Sequence, residues 1–293
     1  TPTPSSAASD VYKRQAGRLG ITIDLIKFDE ITKNLPMIVD LKPSGTGYME
    51  DLYKAGGSQR IFYELKDFLY LDAKSVNGTT LGEEIKNSAK WTQNIITDKS
   101  NPVFNAGSIA VLKGTLAPNS AIIKQSAATE SLLIHEGRAV VFEGLEDLAN
   151  RIDRDDLDVT KDDVLVLKSI GPKGGPGMPE AGLIPIPKKL AKQGVKDMVR
   201  ISDGRMSGTA SGTIILHVTP ESYENGPLAI VENGDLIKLD VPKRKIDLMI
   251  SEEEIAERLL KRKELSIRRR GYNKIYMEHV TQADRGVDFD FLI

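Results

Sequence analysis

The sequence contains no cysteine. That absence excludes disulfides, thiolate zinc sites and any iron–sulfur cluster held by cysteine within these 293 residues. Histidine is scarce too: His135, His217 and His279 are the three present, and none is spaced with another as a metal-binding pair. Each reads first as a structural residue, although His217, closing the apolar run GTIILHV, could face either a core or a site. No apolar run approaches the roughly 20 residues that a membrane-spanning helix requires, and the N-terminus lacks the basic, apolar and small-residue layout of a secretory signal. No membrane partner is therefore expected, and the cytoplasm is the expected compartment. Net charge is also small: 40 basic against 42 acidic residues leave −2, so bulk charge points to neither nucleic acid nor an anionic membrane as partner.

What is present is the composition of a globular protein. A hydrophobic share of 40% with 28% charged residues allows a sizeable core in one large domain or two ordinary ones. Residues 1–15, TPTPSSAASDVYKRQ, lack apolar periodicity and read as a sequencing or cloning scar joined to a truncated frame, or as a disordered tail. In either case they are expected to be mobile. From Ala16 to about Ser100 helices should dominate; YMEDLYKAGG reads as a helix that begins near Met49 and is closed by Gly56 and Gly57. The polar DKSNP, Asp98–Pro102, marks a boundary, and strand signals follow it.

Seven or eight short β-rich runs, separated mainly by Gly, Pro, Asn and Asp, predict a barrel or sandwich. In ENGDLIKLDV, Ile237, Leu239 and Val241 alternate with Lys238 and Asp240, the period of a half-buried strand. Ser251 to Glu254 forms a capping box for a following helix, with Ile255, Leu259 and Leu260 on one face. No internal repeat is present.

Two glycine-rich stretches could carry chemistry. GPKGGPGMPE, Gly171–Glu180, leaves no room for regular helix or strand. Its glycines permit close backbone approach to a ligand, and Glu180 offers the hard oxygen that magnesium prefers. The same composition suits an ordinary surface loop, and the GK[ST] ending of a P-loop is missing. ISDGRMSGTASGT, Ile201–Thr213, concentrates Asp203, Arg205, Ser207 and Thr209 among small residues. Ser207 there is either a turn serine or a reactive one, and GRMSGT is not a nucleophile elbow. An alkoxide would need positive charge from a metal, Arg205 or converging N–H groups. The basic run Lys261–Arg270 continues an amphipathic helix without interleaved aromatics and reads as a solvated face, not a nucleic-acid surface.

Together these stretches resemble the dihydroxy-acid and phosphogluconate dehydratase family. The resemblance runs in order through DLKPSG with DLYKAGG, LKGTLAPNSAIIKQSA, HEGRAVVFE, GPKGGPGMPE, SDGRMSGTASG, HVTPE and ENGDLIKLDV. The Gly208-Thr209 pair and the ending GYNKIYMEHVTQADRGVDFDFL are more similar to the sugar-acid (pentonate, arabinonate- or xylonate-type) members than to the branched-chain amino-acid enzyme.

The resemblance implies an α/β N-terminal remnant over residues 16–95, and over 96–293 a β-barrel-like domain of the aconitase-type swivelling kind, flanked by helices. It implies loss of water from a 2,3-dihydroxy sugar acid to give a 2-keto-3-deoxy acid, with Mg2+ and an iron–sulfur cluster as cofactors. Carried over by motif, Ser207 is the base, Glu180 a magnesium ligand and Thr209 a substrate-positioning residue. The cluster cysteines and the remaining magnesium ligands belong to a half that this sequence lacks. The chain alone is therefore expected to be inactive, to expose an apolar face, and to form a homo-oligomer when full length. Glu180 and Ser207 should lie close together. Two other readings remain: the branched-chain dihydroxy-acid enzyme, and a non-catalytic module that keeps the swivelling domain for binding.

Overall fold

The computed structural model describes residues 6–86, 88, 93–105, 107–208, 210–262 and 270–293. The chain divides into two compact units: Ile31–Ser108 form the smaller, and the described residues up to Glu30 join Ile109–Ile293 in the larger. Two helices come first, α1 (Ser6–Arg18) and α2 (Leu25–Lys33). The first ten positions of α1 belong to the stretch that local pattern assigns to no element. Tertiary contacts account for the difference. Lys13 Nζ donates to Ala283 O at 2.5 Å, and the Arg18 guanidinium grips Asp288 through two hydrogen bonds of 2.7 and 2.8 Å.

In the smaller unit, Ile38, Ala55 and Ile96 are buried, with Leu52, Ile61 and Leu65 packed on them. Helix α3 (Met49–Lys54) stops where expected, before Gly56 with φ 107, and α4 (Gly57–Glu64) follows. Helix α5 (Leu81–Ile85) opens with a capping box in which Thr80 and Glu83 satisfy each other's backbone N–H groups.

The larger unit is built on eight strands: β1 (Ala110–Leu112), β2 (Ser120–Ile123), β3 (Ile134–Phe142), β4 (Val164–Leu167), β5 (Arg200–Ser202), β6 (Ile214–Thr219), β7 (Leu236–Asp240) and β8 (Lys245–Leu248). They form one sheet in the order β1-β2-β6-β5-β4-β3-β7-β8. Strands β3, β4, β5 and β6 pair with one another in parallel, and the β1–β2, β2–β6, β3–β7 and β7–β8 pairs are antiparallel. Lys113, one residue past β1, bridges Lys245 of β8, with Lys113 N donating to Arg244 O at 3.0 Å. The two edges thereby meet, and the sheet is a nearly closed barrel, which removes the unpaired edges an open sheet would expose.

Alternation along the strands sorts the core into two sides. Ala139, Val141, Val164, Val166, Ile201, Ile215, Ile237 and Leu239 fill the interior. Val140, Phe142, Leu165 and Leu167 point outward, under α6 (Leu145–Arg151) and α7 (Lys188–Lys192), where Leu148 and Leu190 cover them. Parallel strands buried on both faces explain why RAVVFEG and DDVLVLKSI read as continuous apolar runs while β7 alternates.

Helix α8 (Glu252–Lys261) follows β8, and Ser251 Oγ accepts from Glu254 N at 3.1 Å. Ile255 and Leu259 pack on the barrel core, but Leu260 is exposed, because it lies about 140° around the helix from Ile255. The helix stops at Lys261, and residues 263–269, most of the basic run Lys261–Arg270, lie outside the described residues. Helix α9 (Gly271–His279) and the C-terminal turns complete the unit. Among the described residues no helix is long and apolar enough to cross a membrane.

Candidate active site

Both glycine-rich stretches leave the carboxyl ends of neighbouring parallel strands. Leu167 and Ser202, the last residues of β4 and β5, are register partners, so residues 168–187 and 203–213 depart side by side from one edge of the barrel. That edge is where α/β sheets place ligand sites, since the loops there are free to vary above a rigid floor. The loops touch directly. Gly182 N donates to Arg205 O at 2.7 Å, and a side chain at position 182 would collide with Leu216 Cδ2 at 2.6 Å and Arg205 O at 2.8 Å. Glu180 and Ser207 each lie two residues from this joint.

Two buried carboxylates shape these loops. Asp203, the first residue after β5, is fully buried. It accepts from Ile170 N at 3.0 Å, Ser169 N at 3.3 Å and Ser222 N at 2.9 Å, tying the root of the first loop to the root of the second. Glu221, equally buried, accepts from Lys173 N at 2.9 Å, Gly174 N at 3.0 Å and Gln282 Nε2 at 2.6 Å. A Cβ at Gly171 would stand 2.6 Å from Glu221 Oε2. Glycine at this position of GPKGGPGMPE thus makes room for the protein's own carboxylate. Burial raises the pKa of both acids; that of Glu221 is pushed up to about 7, first by desolvation and then by Asp203, against the N–H donors of Gly174 and Lys173.

The far end of the second loop is held separately. The Asp197 carboxylate accepts from Thr213 N at 2.9 Å, Thr213 Oγ1 at 2.8 Å and Thr129 Oγ1 at 2.7 Å, and pairs with buried Arg200 at 2.7 Å. Desolvation would raise its pKa, but the two hydroxyls and Arg200 hold it below the ordinary value. Between these fixed ends, Met206 is buried against Ile214 and Leu216, so the chain is pinned one residue before Ser207.

Glu180 is exposed, and among the described residues its carboxylate takes part in no hydrogen bond or ion pair. Ser207 is half-buried and its carbonyl accepts from Ala210 N at 3.1 Å. Thr209 lies outside the described residues. Arg205 is half-buried, and its Nε has no hydrogen-bond partner among the described residues. Lys124, whose pKa burial lowers, brings its Nζ within 3.5 Å of Gly208 O. Local pattern gave no role to Lys124, Asp203 or Glu221. The signal available was their place in blocks flanking apolar strands, but the N–H groups they meet are 33 to 48 residues away in sequence for Asp203 with Ile170 and Glu221 with Lys173.

The histidines are scattered. His135 Nε2 lies 2.8 Å from Asp162 O, and His279 Nδ1 lies 2.9 Å from Asp290 Oδ1. His217 is buried at a bulge in β6, with φ 54, where the β2–β6 register slips. Among the described residues no group of three or more His, Asp or Glu could hold a metal ion. The donors that are present fit one carboxylate contribution, from Glu180, to a hard cation. They do not fit an iron–sulfur cluster, for which the sequence has no thiolate.

A barrel whose adjacent parallel strands deliver a carboxylate-bearing loop and a hydroxyl-bearing loop to one edge defines an enzyme-type domain. Residues 94–287 match the model for the dihydroxy-acid/6-phosphogluconate dehydratase C-terminal domain, and residues 14–84 match the N-terminal domain of the same family. The chain belongs to this dehydratase family. It is 45% identical to the L-arabinonate dehydratase of Rhizobium leguminosarum bv. trifolii (strain WSM2304) over 280 residues, covering 94% of this chain and 48% of that protein. It is 43% identical to the L-arabonate dehydratase of Azospirillum brasilense, covering 96% of this chain and 50% of that protein. The dihydroxy-acid dehydratase of Carboxydothermus hydrogenoformans is 40% identical, over 92% of this chain and 49% of that protein. The chain thus spans about half the length of the curated relatives it matches.

Proposed function

We propose that this chain supplies the base and one magnesium ligand to an enzyme that dehydrates a 2,3-dihydroxy sugar acid to a 2-keto-3-deoxy acid. The observation that carries the reading is the joint between the loops: Gly182 N bonded to Arg205 O, two residues from Glu180 on one side and two from Ser207 on the other. The barrel corresponds in this reading to a swivelling domain of the aconitase type, and residues 16–95 to the end of an N-terminal α/β domain. The sugar-acid assignment is favoured by the higher identity to the arabinonate enzymes than to the dihydroxy-acid enzymes.

Ser207 Oγ removes the proton from C2 of the substrate, C2 and C3 become doubly bonded, and the C3 hydroxyl departs. The resulting enol then takes a proton at C3 to become the 2-keto acid. Thr209 positions the substrate. Glu180, which no described residue engages, is the residue that would hold Mg2+, and a dication there would supply the positive potential that a serine alkoxide needs. Arg205 and Lys124 add cationic charge around the same loop. The departing hydroxide would be taken up by the Lewis acid of an iron–sulfur cluster held outside these 293 residues, since the sequence has no cysteine to hold one.

The test is turnover. The metal-reconstituted chain on its own forms no 2-keto-3-deoxy acid from pentonates, whereas the same residues behind a cysteine-bearing N-terminal half do, in preference to 2,3-dihydroxy-isovalerate. In that intact enzyme Ser207→Ala lowers kcat by about 10²–10⁴-fold. Unimpaired turnover by Ser207→Ala would remove the base assignment, and turnover by the isolated chain would remove the divided-site reading.

A further inference from the structure

The loop that carries Glu180 has no helix or strand of its own, so its shape is imposed from outside. Asp203 holds its root at Ser169 and Ile170. Beyond that, two anchors come from the C-terminal segment, about a hundred residues away. Tyr276 Oη, on α9, accepts from Gly177 N at 2.9 Å. Gln282 uses both ends of its amide on Glu221: its Nε2 donates to Glu221 Oε1 at 2.6 Å, and its Oε1 accepts from Glu221 N at 2.9 Å. Glu221 in turn holds Lys173 N and Gly174 N.

The segment is braced internally as well. Thr281 N donates to Asp288 O at 2.8 Å, Thr281 Oγ1 is bonded to the same residue, and the Tyr276 ring meets Phe289 edge-on at 5.9 Å. Glu180 therefore stands three residues after the Tyr276 anchor at Gly177 and two before the Arg205 anchor at Gly182. The hydrogen bonds of Tyr276 and Gln282 go to Gly177 and Glu221, so their action on Glu180 passes through the loop backbone.

We propose that Tyr276 and Gln282 are positioning residues for the metal-ligand carboxylate: docking of residues 271–293 against the loop over Lys173–Gly177 sets where Glu180 is presented. This rests on the reading of Glu180 as a magnesium ligand. The chemistry of each anchor is specific. The side-chain amide at position 282 offers, on separate atoms, a donor for the Glu221 carboxylate and an acceptor for its N–H at once. Phenylalanine at 276 would keep the ring contact with Phe289 and lose the acceptor for Gly177 N.

The experiment uses this chain behind the cysteine-bearing N-terminal half that would supply the other ligands, with Mn2+ as the metal probe. Amide exchange is followed by NMR, and paramagnetic broadening of residues 178–182 and 206–208 reports where Mn2+ sits. In Tyr276→Phe and in Gln282→Leu, exchange at Lys173, Gly174 and Gly177 is expected to rise by about tenfold, while amides of β3 and β4 stay protected. The Mn2+ concentration for half-maximal broadening is expected to rise by about tenfold as well.

Unchanged exchange in both variants overturns the clamp. Faster exchange with unchanged Mn2+ affinity shows an anchored loop that does not position the carboxylate, and also overturns the proposal. Absence of broadening near residue 180 in the parent enzyme defeats the ligand reading and the proposal with it, whereas faster exchange in the variants would still show that the loop is anchored. Should Gln282→Leu lose protection in β3 and β4 too, the Tyr276→Phe result decides alone.

Discussion

Replacing Asp203 tests the central structural claim, that one buried carboxylate sets the relation of the two glycine-rich loops. In Asp203→Ala three N–H groups, from Ser169, Ile170 and Ser222, lose their acceptor. Asp203 is fully buried, so water reaches them only through a rearranged loop. A buried unsatisfied donor costs about 1–3 kcal/mol, and three that share one cavity are not additive. Removing the acid also relieves the desolvation that raises its pKa and its repulsion of Glu221, which offsets part of the loss. The expected net effect is a destabilisation of about 3 kcal/mol. Asp203→Asn retains one oxygen acceptor and should lose about half as much. Urea unfolding at pH 7 followed by circular dichroism gives the number, with amide exchange at Ser169 and Ile170 as the local reporter. An Asp203→Ala chain within 0.5 kcal/mol of the parent, or one whose exchange rises everywhere except at those amides, would refute the reasoning.

Glu221 makes a prediction with a definite sign. Its folded pKa of about 7 lies above the ordinary value of 4.5, so between these values the folded state binds more protons than the unfolded one. The contribution of this group is complete below pH 4.5 and is lost as pH rises to about 7, by about 3 kcal/mol in all. Glu221→Gln should flatten that part of the stability–pH curve, and identical curves for parent and variant would count against the buried-acid assignment. Gly182→Ala places a methyl against Leu216 and Arg205 O, and should cost about 1–3 kcal/mol in urea unfolding; a neutral substitution would mean that the joint between the loops is loose.

The strand runs after Pro102, the alternation in β7, the glycine stop after α3 and the Ser251 cap were all legible locally, because each depends on residues within one turn or one strand of each other. Ser207 and Glu180 were legible only as blocks resembling a family, since an isolated serine or glutamate in a glycine-rich stretch is equally an ordinary loop residue. Leu260 was misplaced because it lies about 140° around the helix from Ile255, and the contacts that seat α1, Arg18–Asp288 and Lys13–Ala283, were not legible because they join positions 270 residues apart.

What the sequence determined by itself was the set of strands, their punctuation and, through the missing cysteine, the impossibility of a thiolate-held cluster in this chain. Only the tertiary structure decided that β4 and β5 lie side by side and parallel, that Asp203 and Glu221 are buried, and that the C-terminal segment reaches back to Gly177. The physical reason is the same in each case. Strand order and the pairing of a buried carboxylate with distant N–H groups depend on which surfaces meet in space, and no local periodicity encodes that.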